Sequence, residues 1–422
     1  MGCTSSVYAI GTKKKENTIP EVSVFVPSLR IPIHSDHLHK TLRCLIPCSK
    51  DNLAHRISSL RNQIVLLAQH PTSTNAESGI SEIQNALEEY LPLLLGLTIK
   101  EHGCQDSVEF KWKELETNGE QEICVSNSWF ELLSVLHTMS MLTLTEANLK
   151  LIPKGNSLSE RLVSPDCMRD VIDLFLKAAG YLNFCVHDVL PRLPHDIKKK
   201  LPADMQESAL EATTNQALAQ GTDLQLGLAL QSKKATLSVK RRLSCEQLSF
   251  LAKAHCCLSE VKNIGATGKK QLLFLKWRYT EAKAAAYYYH GLILDKVADP
   301  SSRVSAMCCF LAAQELLVKS KKACLTFCLA HPITRAPPPW GAMKQLHEKI
   351  QEVVSKKTQN HCYIIDQEKL KMQILPDLPK FELSLQPDDY ELPDLDSAWI
   401  NCEKLEITGK GLFREDELSH VT

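Results

Sequence analysis

Residues 270–297 read KQLLFLKWRYTEAKAAAYYYHGLILDKV. No proline interrupts them, and Ala282, Ala284, Ala285 and Ala286 stand immediately before Tyr287, Tyr288 and Tyr289. Alanine is the strongest helix former and the smallest chiral side chain, so the segment predicts a long helix that a neighbour can approach closely. The next segment, Ser301 to Leu329, offers Ala312 and Ala313 for that contact, with Asp299-Pro300 as the turn between them. Upstream, Met205 to Gln231 and Lys234 to Lys262 have the same character and are separated by Lys and Gly clusters. Four long consecutive helices with small residues at facing positions predict tetratricopeptide-like antiparallel pairs, without a strict fixed-period repeat.

Helical periodicity continues toward the amino terminus. Asp51 can cap a helix whose apolar residues Leu53, Ile57, Leu60, Ile64 and Leu67 alternate at four and three. Ile80, Ile83, Leu87, Leu91 and Leu94 form a second stripe, Phe130, Leu133, Leu136 and Met139 a third. Val171, Leu174, Ala178, Leu182, Cys185 and Val189 form a fourth, stopped by Pro191 and Pro194. Val108, Phe110 and Trp112 alternate with charged residues and predict one strand of a small β-hairpin, whereas Val22 to Val26 and Leu29 to Ile33 read as extended chain docking on the helices. Gly341 to Lys356 is a further helix, and Pro376, Pro379, Pro387 and Pro393 make the remainder an extended tail along the helical body. The acidic stretch from Asp388 to Asp396 reads as solvated. The expected fold is all-α, an elongated helical solenoid with a small hairpin. Its divisions are a tail at 1–20, a helical domain at 21–385 and an acidic, partly extended tail at 386–422.

Composition narrows the function. The 422 residues hold 49 Lys plus Arg against 49 Asp plus Glu, so any contact with nucleic acid or an anionic bilayer must come from a local patch. Sixteen cysteines scattered through apolar helical stretches, with no secretory signal before them, read as reduced thiols in a cytosolic protein. The apolar run around Leu91 to Ile99 is too short to cross a bilayer. Gly2, with Ser6 four residues on, matches the N-myristoylation template, and Cys3 offers a thiol for palmitoylation. One myristoyl chain binds marginally, so Cys3 acylation would be the second signal, with Lys13, Lys14 and Lys15 near the headgroups. The bland alternative is a small-residue terminus without lipid.

Chemistry finds little support. Gly265-Ala266-Thr267-Gly268-Lys269 lacks the Walker spacing, since Asn263 stands where Gly is needed and Lys270 replaces Ser or Thr; it reads as a helix–helix turn. The same Gly-x-x-Gly has no surrounding sheet for an RNA clamp. His34, His37 and His39 with Cys44 and Cys48 are the best metal candidates, but their spacing fits no standard finger, and surface histidines beside buried cysteines are the expected reading. Cys256-Cys257 and Cys308-Cys309 read as small core residues. No Gly-x-Ser-x-Gly elbow, His-Glu-x-x-His helix or dinucleotide fingerprint occurs, so no catalytic residue, metal, cofactor, nucleic acid or small-molecule substrate is expected.

With the helices placed, several segments resemble the Bro domain, the boomerang-shaped helical module of ALIX-type endosomal adaptors. Phe110-Lys111-Trp112-Lys113 resembles the family's strand, and Trp129 to Leu136 the helix after it. Leu218-Ala219-Gln220 resembles an element of its middle helix, Tyr289-His290-Gly291-Leu292 its Tyr-x-Gly junction, and Asn360 with Tyr363 its late Asn-x-x-Tyr. Pro376 comes later than the family pattern places it. Like stand-alone Brox-type members, the chain has no coiled-coil arm, yet Ser419-His420-Val421-Thr422 holds no prenylation cysteine. The resemblance implies an adaptor, not an enzyme, on the cytoplasmic face of endosomal or plasma membrane. It would bind the C-terminal amphipathic helix of an ESCRT-III subunit in multivesicular-body trafficking, a helix-in-groove mode. Carried over from Leu218-Ala219-Gln220, the groove candidates are Leu224, Leu226, Leu230 and Leu237, although leucines at helical spacing are more often core. A generic lipid-anchored scaffold for unrelated signalling partners, recruited by a groove or by Pro337-Pro338-Pro339, is the alternative.

Overall fold

The computed structural model describes residues 24–27, 29–34, 37–46, 51–69, 76–114, 122–151, 163–297, 299–331, 342–361 and 375–399. Contacts divide the chain into two compact units, one of Arg30–Val135 with the residues from Glu391 on, the other of Leu136–Tyr390 with the residues up to Leu29.

The first unit contains the strands. β1 (Arg30–Pro32), β2 (Glu109–Glu114) and β3 (Glu122–Ser126) form an antiparallel sheet in that order, with Pro32 opposite Trp112 and Phe110 opposite Val125. The predicted hairpin is therefore a three-stranded sheet. The short extended segment before α1 supplies the added strand, which local alternation over three residues could not announce. Val108, Phe110 and Trp112 are buried, as a period of two requires. Helices α1 (Leu38–Leu45), α2 (Asp51–Gln69) and α3 (Ala76–Thr98) bury Leu53, Ile57, Ile64, Leu87, Leu91 and Leu94 from the expected stripes.

A single glutamate ties this unit together. Glu131, in the first turn of α4 (Ser128–Leu151), is fully buried and accepts from Arg61 Nε at 2.9 Å, Tyr90 Oη at 3.3 Å and Trp112 Nε1 at 2.5 Å. Arg61 also donates to the carbonyls of Ile33 at 2.7 Å and Lys111 at 3.0 Å, so α2, α3, α4 and the sheet meet at one charge pair. Both charges are compensated, as burial demands.

The second unit is helical. α5 (Pro165–Phe184) begins at Ser164, whose hydroxyl accepts from the Cys167 N–H, and passes through a π-turn at Cys185–Val189 before Pro191 ends it. A short α6 (His195–Lys200) leads to α7 (Glu207–Gln231), α8 (Leu237–Glu260), α9 (Ala266–Leu294) and α10 (Pro300–Leu329), each packed on the next. Their ends fall within a few residues of the predicted ones. Thr236 caps α8 and Asp299 caps α10, each accepting a backbone N–H of the first turn. Gly265 is the residue before α9, so the Gly-x-x-Gly stretch read as a helix–helix turn is only the last connecting residue followed by the first turn of the helix. α11 (Ala342–His361) runs five residues past the expected end and includes Asn360; Tyr363 and Pro337-Pro338-Pro339 lie outside the described residues.

Ala282, Ala284, Ala285 and Ala286 of α9 are buried, and Gly291 shows why close approach matters. A Cβ there would lie 2.8 Å from the Phe310 ring and 3.1 Å from the Ala306 carbonyl on α10. The cysteine pairs divide between surface and core: Cys309 is buried, but Cys256 is exposed and Cys257 and Cys308 are half-buried. Adjacent helical residues point about 100° apart, so a pair cannot share one core face.

Residues 375–399 are extended chain laid on the helices, ending in a helical turn. Leu385 packs over Gly221, the Asp388 N–H donates to Leu176 O at 3.1 Å, and Tyr390 meets the rings of Tyr181 and Phe184. In the first unit Asp396 accepts both guanidinium nitrogens of Arg56, and Trp399 stacks on His102 and donates to Leu93 O. Asp388, Asp389, Glu391 and Asp394 of the acidic stretch are exposed, as a solvated segment requires, while Tyr390 and Asp396 dock between them. Residues 386–390 group with the helical unit, and those from Glu391 with the first unit.

Candidate partner-helix surface

The predicted groove residues separate into two groups. Leu224 and Leu226 are 1 % and 0 % exposed, and Leu226 belongs to the core shared with Ala284, Ala285, Tyr288 and Phe310. A side chain without accessible surface cannot meet a partner unless the core opens, so these two are structural. Leu230 and Leu237, at the facing ends of α7 and α8, are half-buried against that core.

An exposed aliphatic residue that the sequence did not single out follows at the start of α8. Val239, in the first turn of α8, is 44 % exposed, and Leu243, one turn on, is half-buried. Positions i and i+4 share a helix face, so Val239 and Leu243 form one aliphatic edge of α8, while Leu237, two residues before Val239, lies on another side of the helix. The available signal was the sequence Ser238-Val239-Lys240-Arg241-Arg242-Leu243, aliphatics spaced by four within a basic first turn.

Cationic side chains stand at the α7–α8 turn. Lys233, Lys234 and Arg242 are exposed, and Arg242 Nε donates to Glu246 Oε1 at 2.6 Å. Glu246 Oε2 accepts the Ser384 N–H at 3.1 Å and its hydroxyl at 2.5 Å, binding the extended strap to α8. Arg241 lies over the Phe381 ring and donates to His290 Nδ1 at 3.3 Å; burial, then the Arg241 charge, lower the His290 pKa. These contacts hold the extended chain at Phe381–Ser384 against α8.

A second charge cluster sets α7 against α9. Arg278 donates to Asp223 Oδ2 and Glu281 Oε2, both at 2.8 Å, and Trp277 Nε1 donates to Glu281 Oε1 at 2.9 Å. All lie in the interior. Burial raises the Asp223 pKa and lifts that of Glu281 to about 7, with Arg278 opposing both shifts.

The remaining candidates are dispersed. Gly2, Cys3 and Cys48 lie outside the described residues. His34 bonds Asn62 at 2.9 Å, while His39 meets the His55 ring edge-on at a surface cavity of about 450 Å³. Cys44 is exposed rather than buried. Among the described residues no three His, Cys, Asp or Glu side chains are grouped to hold a metal ion. Nor, among them, is any helix long and apolar enough to cross a membrane.

The family model of the BRO1-like domain matches residues 47–366, about three quarters of the chain. The chain belongs to the BRO1-like domain family. A comparison with curated proteins found no match. Among solved structures, the ALIX BRO1–CHMP4C complex aligns with a TM-score of 0.59 at 15 % identity, covering 90 % of this chain and 99 % of that one. A structure described as the basis for endosomal targeting by the Bro1 domain aligns at 0.56 and 14 %, covering 93 % and 100 %. ALIX in complex with the SIVmac239 PYKEVTEDL late domain aligns at 0.58 and 14 %, covering 93 % of this chain and 54 % of that one. At these identities the likeness is one of fold. The family match contains the whole α7–α8 surface of this BRO1-like domain, but ends before the strap.

Proposed function

We propose that this chain is a membrane-anchored adaptor that binds the C-terminal amphipathic helix of an ESCRT-III subunit in endosomal sorting. The observation that carries the reading is the exposed Val239, which shares a face of α8 with Leu243 inside the BRO1-like match. An amphipathic helix needs aliphatic contacts along one rigid face, and the cationic side chains at the α7–α8 turn suit acidic residues flanking it. A fold neighbour in complex with CHMP4C, and another described by endosomal targeting, support the partner class and the setting. The arrangement supports binding, and no reaction is assigned to it.

The test is titration of the terminal-helix peptide of an ESCRT-III subunit against parent and Val239→Asp/Leu243→Asp protein, with circular dichroism to follow folding. An anchor contact of this size predicts at least about tenfold weaker binding. Unchanged affinity in the folded variant would remove this surface from the interaction. Absence of binding to ESCRT-III helices by the parent would favour the generic scaffold.

Membrane attachment is assigned to Gly2 myristoylation and Cys3 palmitoylation, which together supply the two signals a stable anchor needs. Gly2→Ala is expected to move the protein into the soluble fraction of lysed cells. Retention of that variant with membranes at the parental level would refute the anchor.

A further inference from the structure

The helical unit exposes an apolar stripe far along the chain from the α7–α8 turn. Val318, Leu325 and Leu329 of α10 are 66 %, 57 % and 69 % exposed, and Lys322 stands among them. At about 100° per residue these four side chains fall within an arc of roughly 60°. The opposite side of α10 carries its core residues Cys309, Phe310, Ala313 and Leu317. Lys319 and Lys321 are exposed beside the stripe, and the nearby acid, Glu315, is paired with Lys319 at 2.7 Å. The face therefore combines aliphatic side chains with an excess of positive charge in an otherwise neutral protein.

That combination fits an anionic lipid surface. Aliphatics enter the boundary between headgroups and acyl chains while lysine stems extend to the phosphates. The route of the chain supports the same occupant. Phe25 stacks on Phe274 with ring centroids at 5.5 Å and meets Phe327 of α10 at 5.8 Å, so the chain leading from Gly2 and Cys3 joins the fold at this end of α10. It arrives on the opposite face of the helix from the stripe. The residues between Gly2 and Val24 can span at most about 75 Å, ample for an acyl chain and the stripe to enter one bilayer.

We propose that the α10 stripe is a second membrane contact, seating Val318, Leu325 and Leu329 in the interface of an anionic bilayer with Lys319, Lys321 and Lys322 on lipid phosphates. The contact deepens the amino-terminal anchor reading and rests on it for its purpose, since the Gly2 myristoyl chain alone holds a protein only marginally until Cys3 is also acylated.

Its physical test needs no acyl group. Full-length protein produced without acyltransferase is sedimented with phosphatidylcholine vesicles or with phosphatidylcholine vesicles containing phosphatidylserine. Binding is expected only to the latter and should weaken as salt is raised. Leu325→Asp/Leu329→Asp is expected to lower the binding constant at least about tenfold, and Lys321→Glu/Lys322→Glu by a similar factor. The side chains are exposed, and unchanged helical circular dichroism and melting would confirm folded variants. Parental binding by both variants, or equal binding to the two vesicle types, overturns the proposal. So does a change in oligomeric state without vesicle binding, which would assign the stripe to a second copy. Failure here leaves the Gly2 reading intact, because the assayed protein carries no lipid; retention of Gly2→Ala protein in cells would remove the anchor alone.

Discussion

Glu281 makes part of the stability of this domain depend on pH. Burial raises its carboxyl pKa from 4.5 to about 7, although Arg278 and the Trp277 N–H favour the charged form. Between those values the folded protein holds a proton that the unfolded chain has released, so this group's contribution to stability falls as pH rises. Glu281→Gln retains an acceptor for Trp277 and removes the titration. Relative to the parent, the variant should gain up to about 3 kcal/mol from pH 4.5 to 7, measured by urea unfolding across that range. A constant difference would contradict the assignment. Two glycines make a sharper steric test. Alanine is favoured over glycine inside a helix by about 1 kcal/mol, and Gly227 has room for a methyl group, its nearest neighbour being Met168 Sδ at 4.0 Å. Gly227→Ala should therefore stabilise by about 0.5–1 kcal/mol. At Gly291 the gain is opposed by Phe310 and the Ala306 carbonyl of a packed helix, so Gly291→Ala should be net destabilising by about 1 kcal/mol. Thermal melts that shift in the same direction for both would show that close approach does not govern α9.

At the level of elements, the strap is where local and distant information part. A Cβ at Gly180 would lie 2.5 Å from the Asp388 carbonyl oxygen, and the Asp388 N–H bonds Leu176 O at 3.1 Å. Gly180→Ala should lift this segment and speed exchange of the Asp388 amide at least about tenfold, measured by hydrogen exchange, while α9 amides stay protected. Parental protection at Asp388 would mean that the strap tolerates the displacement. The long helices were legible because alanine content, apolar period and proline positions act over neighbouring residues. Prolines likewise identified an extended tail along the body. Its docking was hidden: Asp396 is neutralised by Arg56, 340 positions away, and Trp399 fits over Gly96, where a Cβ would lie 2.0 Å from its ring. The candidate surface was half legible for a similar reason. Apolar periodicity says that a leucine faces something, yet the closed packing that seals Leu226 and leaves Val239 accessible depends on which helices return beside α7.

Across the molecule, the cysteines report whether this packing holds in solution. Cys44, Cys124 and Cys256 are exposed, whereas Cys104, Cys185, Cys245, Cys309 and Cys328 are buried, and all are free thiols. Alkylation requires both access and the thiolate. Burial raises the Cys185 pKa, that of Cys245 to about 11, and, with Cys308 adding to it, that of Cys309 to about 12. Access and charge therefore disfavour reaction together at the core positions. Cys124 separates the two effects, being exposed but raised to about 11 by partial burial and then by Glu109. Under a limiting pulse of iodoacetamide near neutral pH, peptide mass spectrometry should find Cys44 and Cys256 modified first, Cys124 behind them, and the five buried thiols unmodified until denaturant is added. Cys185, in the π-turn that continues α5, and Cys309 of α10 belong to different elements of the second unit. Early labelling of both would mean that α5 and α10 open together, and with them the core on which Leu230, Leu237 and Leu243 rest. Early labelling of Cys309 alone would place the opening at the α9–α10 contact, where Gly291→Ala should increase it.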